Sequence, residues 1–282
     1  ALQDWDGVFE FDYGATPTQW EGAQISGYFT MVTDPAKLAF APIAANLLRR
    51  GDVSPAEEEL RLRVPVARVP ELLVEHGNSV SSAWVKSGVP RAAAVRHRLA
   101  IELVDEGELQ ADAIELAQPT DVTSDTGKIR WLSPQEGKDL FTVDTEKTKV
   151  ALGRIAGGRV DVGRMSFEVG ATGTGWAAVA LTSMDDLSLT QSRRMLLVVV
   201  SKVENQGMGW NEQRTTVGTK WGQGPTVTEG VSVKVGFGQD RELEAYALDG
   251  RGLRVGHPVL AAAGEVVLDA SHKTVWYELA AP

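Results

Sequence analysis

A chain of 282 residues that is 43% hydrophobic can bury one large core or two ordinary ones, which excludes a disordered polymer. Its 38 Asp plus Glu outnumber 28 Lys plus Arg, and a net charge of -10 repels nucleic-acid phosphates and anionic membrane surfaces, so a neutral partner is expected. The absence of cysteine removes disulfides, thiolate zinc sites and cysteine nucleophiles, and leaves both cytosolic and secreted settings open.

In chain order, GVFEFDYG at 7–14 alternates as a strand over residues 8–13. This places Phe9, Phe11 and Tyr13 on one face and Val8, Glu10 and Asp12 on the other. A loop carrying Trp20 and Glu21 follows. Asp34-Pro35 then forms a helix start, because the Asp side chain caps free N–H groups and proline suits the first helical position. The helix is expected to reach about Arg50 and stop at Gly51, with Leu38, Ile43, Leu47 and Leu48 near one face and Pro42 bending it. Residues 1–52 thus read as a βα segment.

Beyond Pro55, ELRLRV at 59–64 and HRLAIELV at 97–104 read as strands on either side of a short helical piece from Pro70 to His76. From there strands dominate, about ten of them, including KIRWL, LFTVD, KVALG, RVDVG, WAAVALTSM and RMLLVVVSKV, separated by turns such as DTG at 125–127. The fold expected is mainly β. It combines a β-sandwich domain over 53–282, in which 53–110 could connect, with the N-terminal segment 1–52. The longest apolar run, MLLVVV at 195–200, is far short of the roughly 20 residues that span a bilayer.

Motifs for nucleophilic catalysis or phosphate binding are missing: there is no GxSxG, HExxH or Walker loop, and the glycines of ATGTGW at 171–176 open no helix. His76, His97, His257 and His272 lack ligand spacing, so no transition metal and no cofactor is assigned, and the acids of SMDD and QDRELE leave calcium open. Tryptophan is more informative. Trp20, Trp210 and Trp221 flank polar, glycine-rich loops, and the stretch 204–225 sets Trp210 and Trp221 beside Asn211, Glu212, Gln213 and Arg214. Flat apolar faces bordered by amides and carboxylates suit sugar rings, although such tryptophans also serve as anchors for long loops. Trp84, Trp131, Trp176 and Trp276 are expected in the core.

The stretches DWDGVFEFDYG and ISGYFTMVTDPAKLAFAPIAANLLRRGDV resemble the last strand and helix of the TIM-barrel domain of clan A glycoside hydrolases. The remainder, through TSDTGKIRW, SRRMLLVVVSKVENQGMGWNEQRT, KWGQGPTVTEGV and HKTVWYEL, is similar to the C-terminal domain joined to such barrels in a group of bacterial glycosidase-like proteins. The resemblance implies a poly- or oligosaccharide partner, and acid/base and nucleophile glutamates on barrel strands outside this chain. It further implies a missing N-terminal barrel segment, or a second copy, to cover the terminal βα unit; the setting stays unassigned, with a glycan substrate favouring a secreted or periplasmic one.

Within the chain, Glu10 and Asp12 are the candidate carboxylate pair. Two residues of strand rise is about 6–7 Å, within the span of roughly 5–10 Å that glycoside hydrolysis uses. Glu21 is a third acid. The expected substrate-binding set is Glu10, Asp12, Tyr13, Trp20, Glu21, Trp210 and Trp221, with the catalytic residues unassigned. Three functions remain open: a glycoside hydrolase completed by an upstream barrel, a non-catalytic carbohydrate-binding module or scaffold, and a small hydrolase using its own acids.

Overall fold

The computed structural model describes the chain except at residues 11, 15, 28, 77–83, 86, 114–120 and 133–138. It is mainly β and divides into two compact units, each built from two stretches of chain. One unit is Ala1–Asp6 with Val53–Phe141; the other is Gly7–Asp52 with Thr142–Pro282. Residues 7–52 therefore fold with the C-terminal strands rather than as a unit of their own, and 53–110 lie in a unit with its own core.

At the start of the chain are α1 (Pro17–Glu21) and α2 (Pro35–Arg49). The latter forms as its sequence dictates. Asp34 Oδ1 accepts from the N–H groups of Ala36 and Lys37, Pro35 sits in the first turn, and Gly51 leaves the helix at φ +64. Pro42 lies inside a continuous helix, and Ala39 and Ile43 form its most buried stripe.

The expected strand over 8–13 does not form. Among the described residues of this stretch, the only pairing is a single parallel bridge from Asp12 to Thr30, in which Asp12 and Tyr13 carbonyls accept from Met31 and Val32. Alternation selects a face, but a strand persists only where a neighbour supplies a ladder, and residues 8–10 have none. Val8 and Phe9 are 61% and 94% exposed, so Phe9 does not pack under a helix; Phe11 lies outside the described residues.

The unit containing residues 53–141 is organised around β1 (Glu59–Pro65). This strand pairs parallel with β2 (Arg98–Val104) and antiparallel with β3 (Gln110–Ala111). A parallel pair needs a crossover, which here carries α3 (Val69–His76) and α4 (Ala93–Arg96). Alternate residues Leu60, Leu62 and Val64 enter a core with Trp84, Val89 and Ala93. A hairpin of β4 (Asp121–Thr123) and β5 (Ile129–Leu132) turns through the expected DTG, with Gly127 at φ +68. His97 is buried with Nδ1 3.2 Å from Asp125 Oδ2, which also accepts from the Glu58 N–H. Burial pushes the Asp125 carboxyl up, but these hydrogen bonds outweigh it and hold the pKa below its ordinary value.

The second unit holds β6 (Leu140–Asp144, whose first two residues fall in the other unit), β7 (Thr148–Gly153), β8 (Arg159–Val162), β9 (Met165–Val169), β10 (Ala177–Ser183) and β11 (Arg194–Val200). They are followed by β12 (Val203–Gln206), β13 (Gln223–Thr228), β14 (Val233–Gly236), β15 (Glu244–Leu248), β16 (Arg254–Leu260), β17 (Glu265–Leu268) and β18 (Trp276–Ala280). Its large sheet runs β16-β15-β18-β11-β10-β7-β6, antiparallel at each of the pairings from β16 to β7. Every residue of β10 is buried, and α2 covers part of this strand and of β11, which explains apolar runs in place of alternation.

The smaller sheet, β17-β14-β9-β8, buries alternate residues such as Phe167, Val233, Val235 and Leu268, while Val267 faces water. Two such antiparallel sheets are consistent with a β-sandwich. Trp84 is buried as expected, but Trp176 is 37% exposed in the turn before β10.

Candidate functional site

The registers of β7, β10 and β11 define two ends of this unit. Thr182 pairs with Thr148 and Ser183 with Met195 at one end; Ala177 pairs with Gly153 and Ala178 with Val200 at the other. Trp210 and Trp221 belong to the second end, in the stretch read as a long loop. That stretch is a hairpin: β12 and β13 pair antiparallel, and the residues between them form its tip. Asn211 builds the turn, with Oδ1 accepting from the N–H groups of Thr215 and Thr216.

The N-terminal loop meets this hairpin through Asn205, which is 2% exposed. Its Oδ1 accepts from Ile25 N at 2.8 Å and Thr226 Oγ1 at 3.1 Å; its Nδ2 donates to Ile25 O at 2.8 Å and Trp221 O at 2.9 Å. Two more bonds reinforce the join, Thr226 N to Ala23 O and Gly224 N to Gln24 Oε1. The segment bearing Trp20 and Glu21 is thereby fixed beside the segment bearing Trp221.

Trp20 sits on α1, a single turn closed by a capping box between Thr16 and Gln19. Its ring lies 5.1 Å from that of Tyr13, tilted by 53°. Gly14 lies against Val32, where a Cβ would meet Val32 Cγ1 at 3.0 Å, and a Cβ there would be in ordinary contact with Trp20 Cε2 at 3.6 Å. Tyr13 and Trp20 are 48% and 56% exposed, so they form an open aromatic surface.

No family model, curated protein or solved structure matches this chain.

The seven expected site residues separate by role. Tyr13 and Trp20 are the solvent-facing aromatic pair. Trp221 is half-buried, and its backbone is tied down by Asn205. Trp210 is also half-buried; the Arg214 guanidinium lies 5.1 Å from its ring centroid and is itself ion-paired with Glu204, and the indole Nε1 is buried without an acceptor among the described residues. With one face covered by arginine, Trp210 is an anchor more than a stacking platform. Asp12 is half-buried and its Oδ2 accepts from Thr30 Oγ1 at 2.8 Å; Glu10 and Glu21 are exposed. The strand that would have presented Glu10 and Asp12 as a pair on one face is not there.

Asn205 is the residue that sequence reasoning missed. Its only signal is a residue of low β-propensity within the strand-like stretch VENQ.

The opposite end of the unit contains a cleft of about 500 Å³ lined by Asp144, Glu146, Lys149, Arg164, Gln191 and Phe237, among others. Lys149 is mostly buried there, bonded to the Thr145 carbonyl at 2.6 Å and paired with Asp144. Beside it, the SMDD turn is built by Asp185, which accepts from Ser183 Oγ at 3.0 Å and from Arg193 N at 2.7 Å. Burial works to raise the Asp185 pKa, but hydrogen bonds from Ser192, Arg193, Ser183 and Leu187 together lower it to about 2. Its oxygens are thus engaged in turn formation. Among the described residues, no three His, Cys, Asp or Glu are gathered so as to hold a metal ion, and no helix is long and apolar enough to cross a membrane.

Proposed function

We propose that the chain is the sandwich-bearing, saccharide-contacting part of a glycoside-hydrolase-like protein, with its sugar contacts at the end carrying Tyr13, Trp20 and Trp221. The observation that carries this reading is the open Tyr13–Trp20 pair, held on a capped turn and bonded through Asn205 to a second tryptophan-bearing segment. An exposed aromatic surface stacks on the C–H faces of a neutral sugar, and the neighbouring carboxylates of Asp12 and Glu21 accept from its hydroxyls. The net charge of -10 favours neutral over acidic glycans.

Val8 and Phe9 support the enzymatic form of the reading. They are exposed apolar residues with no ladder partner, ahead of α1 and α2, as expected of a terminal barrel strand that lacks its neighbours. Those neighbours would come from an upstream barrel segment or a second copy, and the catalytic glutamates would lie on them. The non-catalytic alternative is a carbohydrate-binding module acting through the same aromatic surface. A glycan substrate favours a secreted or periplasmic setting for either form.

Calorimetric titration with neutral linear hexasaccharides of glucan, mannan and xylan type tests the reading. One of them is expected to bind, with affinity about tenfold weaker in Trp20→Ala. Unchanged affinity in that variant, or no binding by the natural chain, would overturn it. Release of shorter sugars by the chain alone would place catalysis within these residues.

A further inference from the structure

We infer that Asn205 is the positioning residue of this end of the unit, a single buried amide that sets the Trp20-bearing loop and the Trp221-bearing segment in one register. The inference rests on the proposed function for its consequence in binding, but its geometry stands without it.

An asparagine side chain has two donor hydrogens and an acceptor oxygen with two lone pairs. All four capacities of Asn205 are used, and they are divided between two segments. Ile25 is held at both its N–H and its carbonyl, the pattern by which one strand recognises another, while Trp221 O and Thr226 Oγ1 are held from the other side. The partners are separated by 180 residues of sequence on one side and by 16 and 21 on the other. Asn205 is the last residue of β12 in regular register, opposite Thr226, and the β12–β13 ladder slips just after it, between Asn205 and Gln206. An apolar residue here takes the partner from the Ile25 N–H and carbonyl on one segment and from the Trp221 carbonyl and Thr226 hydroxyl on the other, so the two segments loosen together.

The test compares the natural chain with Asn205→Leu, which removes all four bonds in a side chain of similar volume, and with Asn205→Asp. The aspartate keeps the acceptors for Ile25 N and Thr226 Oγ1 and loses the donors. Hydrogen exchange of the ligand-free protein is expected to speed up at 22–27 and at 221–226 together in Asn205→Leu, with β10 and β11 unchanged. In Asn205→Asp each segment keeps one bond, from Ile25 N or Thr226 Oγ1, and loses one, to Ile25 O or Trp221 O, so both loosen together and by less than in Asn205→Leu. If the natural chain binds one of the hexasaccharides, Asn205→Leu weakens it about tenfold, and a double-mutant cycle with Trp20→Ala is non-additive.

Loosening of one segment alone, faster exchange throughout β10 and β11, or additive effects on affinity would overturn the inference. If the natural chain binds none of the sugars, the proposed function fails, and the exchange pattern still decides the role of Asn205. Should Asn205→Leu fail to fold, the joint loosening expected in Asn205→Asp decides it alone.

Discussion

Single residues at the two ends of the C-terminal unit do different work. At the cleft end, Asp185 has a folded-state pKa of about 2, below the ordinary 3.8, so its stabilising contribution is present above about pH 4 and is lost as the pH falls toward 2. Asp185→Asn is expected to cost about 1 kcal/mol at pH 7, allowing for solvent screening of a half-exposed group, and the difference should shrink as the pH nears 2. Urea midpoints of the two proteins at pH 7 and at low pH check this, and a difference independent of pH would refute it. The sequence showed Asp185 only as one of a pair of acids in a turn. Its meaning comes from hydroxyls and amides that the fold brings to it, as with Asn205, whose partners lie on a segment 180 residues away. Trp20 and Trp210 drew attention on the same ground, their place beside polar loops; that Trp20 is exposed is a property of the fold, and the covering of Trp210 by Arg214 depends on a turn with Arg214 at φ +53 that no local pattern announced.

Elements were read best where their own residues determine them. The cap at Asp34, the proline after it and the glycine at 51 fixed both ends of α2, and short β-branched runs between turns located most of the strands. The stretch 8–13 failed because a ladder is a property of two segments, and alternation reports on one. The end of α2 shows the same limit. Arg50 reads as a residue of the last turn and Asp52 carries no reading, yet they form a bidentate pair with bonds of 3.0 and 2.6 Å, packed against Thr148 and Thr182, with the Asp52 side chain 2% exposed. Arg50→Met removes the ion pair and leaves that carboxylate buried against the Thr148 hydroxyl, and is expected to cost about 3 kcal/mol, whereas Arg50→Met with Asp52→Leu should recover more than half of the loss. Denaturant unfolding of the single and double variants measures both, and equal losses would show that the pair is not coupled.

At the scale of the whole molecule, each unit is assembled from two stretches of chain, which no composition shift revealed. Cutting the chain after residue 52 removes α2 from β10 and β11, exposing positions that Ala39 and Ile43 cover. The fragment 53–282 is therefore expected to aggregate or to lose cooperative unfolding, as followed by circular dichroism and light scattering; a sharp transition like that of the full chain would refute this. The same interleaving has a temporal consequence. Residues 7–52 leave the ribosome before 53–141, and the strands they belong with follow only after that stretch. At roughly 5–20 residues per second, α2 waits on the order of 7–30 s for β10 and β11 with its apolar stripe uncovered, longer than helix formation or collapse requires by several orders of magnitude. During that interval the nascent chain is a client for whatever shields hydrophobic surface in its host, and the pace of translation through 53–141 becomes a variable in its yield.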